Sequence, residues 1–151
     1  ESALMDWDEI RALRRKGFEL GAHTMSHARL SQLDEHAQRT EISESRRVLE
    51  EELGEPVHSF AYPFGSARDY TPASVQLVRE AGFARACSNR YGPNGPGSDP
   101  MRLRRIWIDR SDDLDSFCAK VTGRMDALML LDSRPGLLGR RVVNWWTASD
   151  G

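Results

Sequence analysis

The stretch FELGAHTMSHARL, residues 18–30, joins a short apolar run to two histidines. FELGA follows a glycine at residue 17 and predicts a short strand. His23 and His27 come directly after this strand and are four residues apart. If the chain coils into a helical turn here, both imidazoles lie on one side of it. The stretch therefore predicts a strand whose carboxyl end carries a pair of histidines.

Patterns typical of helices and strands alternate on both sides of this stretch. The preceding MDWDEIRALRRKG predicts a helix capped by Asp6, with Glu9 in the capping-box position. Alternation of this kind predicts parallel strands joined by crossover helices, with functional groups at the carboxyl ends of the strands. We therefore expect one α/β domain and leave residues 125–151 unassigned. Further helices are predicted at about 34–53, 71–82 and 113–124, and further strands beginning near residues 57, 83 and 103.

Composition limits the classes of function. The chain has 151 residues, of which 39% are hydrophobic and 29% charged, as is ordinary for a globular domain. Its formal net charge of −2 comes from interspersed acids and bases, so neither a nucleic acid nor an anionic membrane is favoured as a partner. No apolar run reaches the ~20 residues of a membrane span. Cys87 and Cys118 match no metal-ligand spacing and predict two reduced, half-buried thiols rather than a disulfide.

The histidine pair, His23 and His27, offers donors that zinc accepts. Zinc binds neutral imidazole nitrogens, and a hydrolytic site adds a third protein ligand and an open position for water. Thr24 and Ser26 can form hydrogen bonds within the turn and so hold the histidines in place. The alternative is a pair of hydrogen-bonded histidines without metal, because His-x-x-x-His also arises by chance. His36 and His58 predict solvent-facing or hydrogen-bonded positions apart from the pair.

The run FAYPFG, residues 60–65, leaves a predicted strand through a proline and reaches a glycine. Pro63 fixes one backbone dihedral and Gly65 frees another. The backbone amide of Phe64 could thus be presented to a ligand, as an oxyanion-binding donor requires. The alternative is a purely structural turn, which is the commoner use of such residues.

Both runs, in this order and at this separation, resemble motifs of the NodB-homology polysaccharide deacetylases, carbohydrate esterase family four. HTMSH is similar to the second motif of that family, His-Ser/Thr-x-x-His, and FAYPFG to its third motif in the Phe-Ala-Tyr-Pro branch. The flanking MDWDEIRALRRKGFELGA and SVQLVREAGFARACS are also typical of the family. The resemblance covers about residues 5–108 and implies a distorted (β/α) barrel whose N-terminal strands are missing.

The resemblance also implies an activity and roles for individual residues. It implies a metal-dependent hydrolase that removes N-acetyl or O-acetyl groups from a polysaccharide or cell-envelope glycan, in a secreted or envelope-associated bacterial-type protein. His23 and His27 would hold zinc or another divalent ion, and the Thr24 hydroxyl would brace their loop. The Phe64 amide would stabilise the oxyanion, in a loop shaped by Pro63. Substrate contacts are implied for Tyr62 and Trp107.

The chain departs from the family in three places. The first motif, a Thr-Phe-Asp-Asp-Gly-like stretch that supplies the catalytic base and the third metal ligand, is not in this sequence, so we expect that Glu1 begins inside the domain. Asp112 and Asp113 instead predict a helix N-cap and a first-turn acid. Ala61 stands where many members have arginine, and no histidine follows His58 to match the late Leu-x-His motif.

Other functions stay open at this stage. A domain that kept the fold but lost the aspartates would be a non-catalytic module that binds carbohydrate or a partner. A split enzyme would take the missing strands from a second chain, and pairing through an uncovered sheet edge is expected in either case. For Trp107, Trp145 and Trp146 we expect core positions in preference to exposed platforms for sugar stacking.

Overall fold

The computed structural model of the protein describes residues 4–125, and helices and strands alternate in it as predicted. Residues 126–151, which include Trp145, Trp146 and all but the first residue of the unassigned segment, lie outside the described part. The helices are α1 (Trp7–Arg15), α2 (Glu35–Leu53), α3 (Pro72–Glu80) and α4 (Leu114–Val121), and the strands are β1 (Ser59–Ala61), β2 (Arg85–Tyr91) and β3 (Leu103–Arg105). Short 3-10 turns lie at Leu30–Gln32 and Pro100–Arg102.

The three strands form one parallel sheet in the order β1-β2-β3. Phe60 of β1 stands opposite Ala86 of β2, and Cys87 of β2 opposite Leu103 of β3. Helix α3 makes the connection that parallel neighbours require between β1 and β2. The α/β fold and the parallel strands are thus confirmed, and the ends of β1 and β2 that follow Ala61 and Tyr91 lie at the same edge.

The predicted strand FELGA is reduced to a single bridge between Ala22 and Phe60. The Ala22 amide donates to the Ser59 carbonyl and the Ala22 carbonyl accepts from the Ala61 amide, both at 2.9 Å. Residues 18–20 lie beside the chain that precedes β1, because β1 begins only at Ser59, one residue before the partner of Ala22. The predicted strand from residue 103 is also shorter than expected and ends at Arg105.

Local caps fix the helix boundaries, and the predicted cap at Asp6 is confirmed. Asp6 and Glu9 each accept the other's backbone amide at 2.9 Å, which closes a capping box at the start of α1. Thr71 and Ser74 make the same reciprocal arrangement before α3. Gly54 ends α2 with a left-handed φ of 69°, a conformation that glycine adopts without a steric penalty.

The core lies between the sheet and helices α2 and α3. Phe60 from β1 packs against Phe83 with ring centroids 5.2 Å apart. Ile42 of α2 is completely buried, and so is Leu30 of the 3-10 turn that precedes α2. Leu49 and Leu53 of α2 pack against the same cluster as Ile42. This core fixes β1 relative to α2, the two elements on which the site described below depends.

Several surface expectations change. Trp107 is 55% exposed, so the expected core position for this residue is wrong. Cys87 is half-buried as predicted, but Cys118 lies exposed, and both thiols are free. Within residues 4–125 no helix is long and apolar enough to cross a membrane.

Two leucine truncations test this description of the core. Leu30→Ala removes a fully buried side chain and should lower the free energy of unfolding by about 2–5 kcal/mol. Leu114→Ala, at a side chain 74% exposed, is the matched control and should change it by less than about 0.5 kcal/mol. Urea denaturation of the chain measures both, and equal losses would contradict the assignment of Leu30 to the core.

Candidate functional site

His23, His27 and Phe64 come together at the carboxyl end of β1. The imidazole rings of His23 and His27 have centroids 4.8 Å apart and meet edge to face. The Phe64 ring contacts the His27 ring in the same way, also at 4.8 Å between centroids. His36 and His58 are exposed elsewhere, and His58 precedes β1 at the opposite end of the sheet. The sequence thus placed the two motifs at one location correctly, while the roles of their residues stay predictions.

A backbone carbonyl fixes the orientation of His23. Its Nδ1 lies 2.7 Å from the carbonyl oxygen of Ala61, the last residue of β1. A carbonyl oxygen can only accept, so Nδ1 carries the hydrogen and the lone pair of the neutral ring lies on Nε2. An imidazole anchored through one nitrogen presents the other to a ligand in a fixed direction, as metal-binding histidines do.

The histidine loop, residues 23–29, is not the helical turn expected from the sequence. Thr24 and His27 have φ values of 63° and 58°, which are left-handed. In a helix the Ser26 amide would donate to the Ala22 carbonyl, but that carbonyl already accepts from Ala61. Left-handed backbone is unfavourable for a β-branched residue such as Thr24 and costs on the order of 1–3 kcal/mol. The imidazoles are therefore brought together by a strained loop.

Glu41 of α2 supplies the hydrogen bonds that this loop lacks. Its carboxylate accepts from the Met25 amide at 2.8 Å, the Ser26 amide at 2.9 Å and the Ser26 hydroxyl at 2.7 Å. Burial acts to raise the pKa of Glu41, but these hydrogen bonds outweigh it and the pKa is lowered. Sequence reasoning missed Glu41, whose signal was its place beside the buried Ile42 in an otherwise solvent-facing charged helix.

The Thr24 hydroxyl does not brace the loop by a hydrogen bond as expected. Its Oγ1 is buried and has no hydrogen-bond partner among the described residues. Glu41 and Ser26 do the bracing instead. A buried hydroxyl without a partner is costly, which makes the space beside Thr24 suited to a polar group.

Phe64 occupies a strained turn, the phenylalanine turn, which comprises residues 63–65. The Gly65 amide donates to the Pro63 carbonyl at 2.6 Å, and the residue between them, Phe64, has a φ of 59°. A γ-turn with a left-handed central residue is rare and strained. Asn89 of β2 holds it, since its side-chain amide donates to the Phe64 carbonyl at 2.8 Å and its backbone amide to the Gly65 carbonyl at 2.9 Å.

Only glycine fits at residue 65. Its φ is 66°, and a Cβ placed there would stand 2.5 Å from the backbone nitrogen of Asn89. Glycine is therefore required both for the dihedral angle and for the close approach of β2.

The expected substrate contact of Tyr62 is not supported by its position. The side chain is 2% exposed and stacks on Tyr70 with ring centroids 4.1 Å apart. Its hydroxyl donates to the Met101 carbonyl at 2.9 Å, and burial raises the pKa of this phenol. Tyr62 is a core residue because the alternation along β1 points it away from solvent. Trp107 is exposed, and its sugar contact stays a prediction.

Acidic side chains do not complete a metal site within the described part of the chain. No group of three or more histidine, cysteine, aspartate or glutamate side chains there is arranged to hold a metal ion. Asp113, expected as a first-turn acid, is instead the N-cap of α4 and accepts the Ser116 amide at 2.8 Å. Asp112, expected as the N-cap, precedes the cap and pairs with Lys120 at 2.6 Å. Neither aspartate is a candidate ligand for the histidine pair.

Comparison with known proteins points to one family. Residues 1–86 match the model of the polysaccharide deacetylase family. No curated protein matches the chain in sequence.

Solved structures show the same fold. The deacetylase PplD of Streptococcus pyogenes, solved in complex with acetate, has a TM-score of 0.72 and 21% identity, over 80% of this chain and 52% of that one. A polysaccharide deacetylase of Bacillus cereus has a TM-score of 0.69 and 22% identity, over 80% and 37%. IcaB of Ammonifex degensii has a TM-score of 0.65 and 26% identity, over 78% and 53%. The chain thus spans between 37% and 53% of these structures.

The hydrogen bonds of Glu41 generate a stability prediction. Glu41→Gln replaces a charged acceptor of three hydrogen bonds by an amide, and should lower the free energy of unfolding at pH 7 by about 1–3 kcal/mol. Glu44→Gln on the same helix removes an exposed ion pair with Arg47 and should cost less than about 1 kcal/mol.

The same variant has an expected pH dependence. The pKa of Glu41 is lower in the folded protein than its ordinary value of 4.5, so its contribution is complete above that value. It is lost as the pH falls through the lowered pKa, where wild type and Glu41→Gln should converge in urea denaturation. A difference between the two proteins that did not shrink at any pH below 4.5 would contradict the role of the charged carboxylate.

Proposed function

The chain belongs to the polysaccharide deacetylase family, and on that premise we propose that the whole protein is a metal-dependent hydrolase that removes acetyl groups from a polysaccharide or cell-envelope glycan. The convergence of His23, His27 and Phe64 at the carboxyl end of β1 is the observation that carries the proposal. Active sites of barrels built from βα units lie at that end of the strands.

The donor set of the histidine pair fits zinc or another divalent ion. The Ala61 carbonyl accepts from Nδ1 of His23, so the free lone pair of this ring lies on Nε2. The Thr24 hydroxyl, which has no hydrogen-bond partner among the described residues, provides a neighbouring polar group. When bound, such an ion acts as a Lewis acid on an acetyl carbonyl and lowers the pKa of a water molecule. We expect the third ligand, a carboxylate, to come from outside residues 4–125.

Phe64 supplies the second part of the proposed chemistry. Its backbone amide is proposed to donate to the oxyanion that forms when the acetyl carbonyl is attacked. Pro63 and the positive φ of Phe64 set the direction of this amide, and Asn89 holds the peptide that follows. A donor held before the reaction begins needs no reorganisation as charge develops, which is the source of its effect on the rate.

The substrate proposed is an acetylated glycan in a secreted or envelope-associated setting. Two of the similar structures are described as a deacetylase in complex with acetate and a polysaccharide deacetylase. The exposed rings of Phe64 and Trp107 offer flat apolar surfaces of the kind on which sugar rings stack.

Histidine variants test the metal site. In the full-length protein, His23→Ala or His27→Ala should weaken zinc binding by more than about 100-fold, because even residues that only orient metal ligands contribute 10–100-fold. His36→Ala and His58→Ala, which change exposed histidines outside the pair, are the controls and should leave zinc binding unchanged. Competition with a chelating dye measures the affinity, and retention of zinc by both pair variants would overturn the ligand assignment.

Acetate release tests the reaction. Full-length protein loaded with zinc should release acetate from N-acetylated oligosaccharides, and removal of the metal by a chelator should abolish release. Glycan binding that survives chelation, without acetate release under any divalent metal, would support the non-catalytic module instead. Activity that appears only after a second chain is added would support the split enzyme.

A further inference from the structure

We propose that Arg29 is a positioning residue that keeps Phe64 against His27 and thereby holds the phenylalanine turn in its reactive form. The inference rests on the proposed deacetylase function, because Phe64 is the residue proposed to provide the oxyanion amide. Arg29 comes two residues after His27 and lies outside both motifs recognised in the sequence. Its contacts join the histidine loop to the phenylalanine turn.

A buried carboxylate anchors Arg29. Its Nη1 lies 2.7 Å from Oδ1 of Asp69, and the Asp69 side chain is only 4% exposed. The contact is a close charge pair, although its geometry is not that of an aligned hydrogen bond. The second oxygen of Asp69 accepts from the Ser66 amide at 2.8 Å, so the carboxylate is fixed by its own loop. A carboxylate this deeply buried requires a nearby cation, and Arg29 meets that requirement.

The anchored guanidinium lies over the Phe64 ring. Its central carbon is 4.6 Å from the ring centroid, a cation–π distance. The centroid of the Phe64 ring also lies 4.8 Å from that of the His27 ring. The Phe64 side chain therefore contacts both His27 and Arg29. Asp69 follows Phe64 by five residues. The pair Arg29–Asp69 therefore closes a ring of contacts that runs through the histidine loop, the Phe64 side chain and the loop after β1.

The strain at Phe64 explains why such a contact affects function. A left-handed residue in a γ-turn persists only when its surroundings determine its conformation from several sides. Asn89 holds the peptide after Phe64, whereas Arg29 and His27 hold its ring. Without Arg29 the ring loses one of the two contacts described above, and the amide before it can rotate away from the direction that an oxyanion needs.

A conservative variant separates positioning from stability. Arg29→Lys keeps a positive charge for Asp69 but lacks the planar group that covers the Phe64 ring. In full-length zinc-loaded protein it should lower kcat by about tenfold, part of the 10²–10³-fold that loss of an oxyanion donor costs, with KM and zinc content changed less than about twofold. Arg39→Lys is the control, because Arg39 makes ion pairs with Glu35 and Glu80 on exposed helix surface.

A second readout does not depend on the reaction. The imidazole protons of His27 feel the ring current of Phe64, so their NMR shifts should move in Arg29→Lys and stay in Arg39→Lys. Unchanged His27 shifts or an unchanged kcat in Arg29→Lys would overturn the inference. A fall in kcat that matched a fall in the folded fraction would also overturn it, because the role would then be structural. Wild-type protein without acetate release but with the expected His27 shifts would overturn the proposed function and leave the positioning role standing.

Discussion

Two backbone hydrogen bonds join Ala22 to β1, one to the Ser59 carbonyl and one from the Ala61 amide. They bring the histidine loop alongside the strand end, where the Ala61 carbonyl also receives Nδ1 of His23. The bond from the Ala61 amide also occupies the Ala22 carbonyl, which a helical turn would need as an acceptor. The loop must then find other partners for its amides, and the course of residues 23–29 follows from that requirement.

Strain at this end of the sheet is concentrated in the residues of the two motifs. Thr24, His27 and Phe64 are the non-glycine residues with positive φ among residues 4–125. Each lies in a segment held by a group from another element, Glu41 of α2 for the histidine loop and Asn89 of β2 for the phenylalanine turn. Unfavourable backbone that persists in this way is commonly found where a protein keeps functional groups in a fixed geometry.

Local signals account for what could be predicted from the sequence. The capping boxes of Asp6 with Glu9 and of Thr71 with Ser74 lie within three residues, so helix ends could be assigned without knowledge of the fold. Parallel strands followed from the alternation of elements, and the meeting of the two motifs followed from the parallel strands. The strand expected at residues 18–22 is reduced to one bridge because its partner β1 begins only at Ser59, a boundary that the periodicity of residues 18–22 does not report.

The partners of the motifs could not be predicted, since they are distant in sequence and ordinary in type. Glu41 is one of many acidic residues on a charged helix, and its contact with Ser26 spans 15 residues. Asp69 and Arg29 belong to loops without a recognised pattern, and Tyr62 appeared available although the pleat of β1 directs it inward.

The bracing of the histidine loop by α2 has a consequence for protein engineering. The sequence HTMSH does not determine its own conformation. The amides of Met25 and Ser26 donate to a carboxylate on α2, and His23 is held by a carbonyl of β1. A designer who grafts this sequence onto another scaffold must therefore transplant a carboxylate and a carbonyl acceptor with it. The smallest set of residues that reproduces the conformation of this loop is discontinuous in sequence. A search by contiguous sequence alone would therefore return many HTMSH segments that lack this conformation.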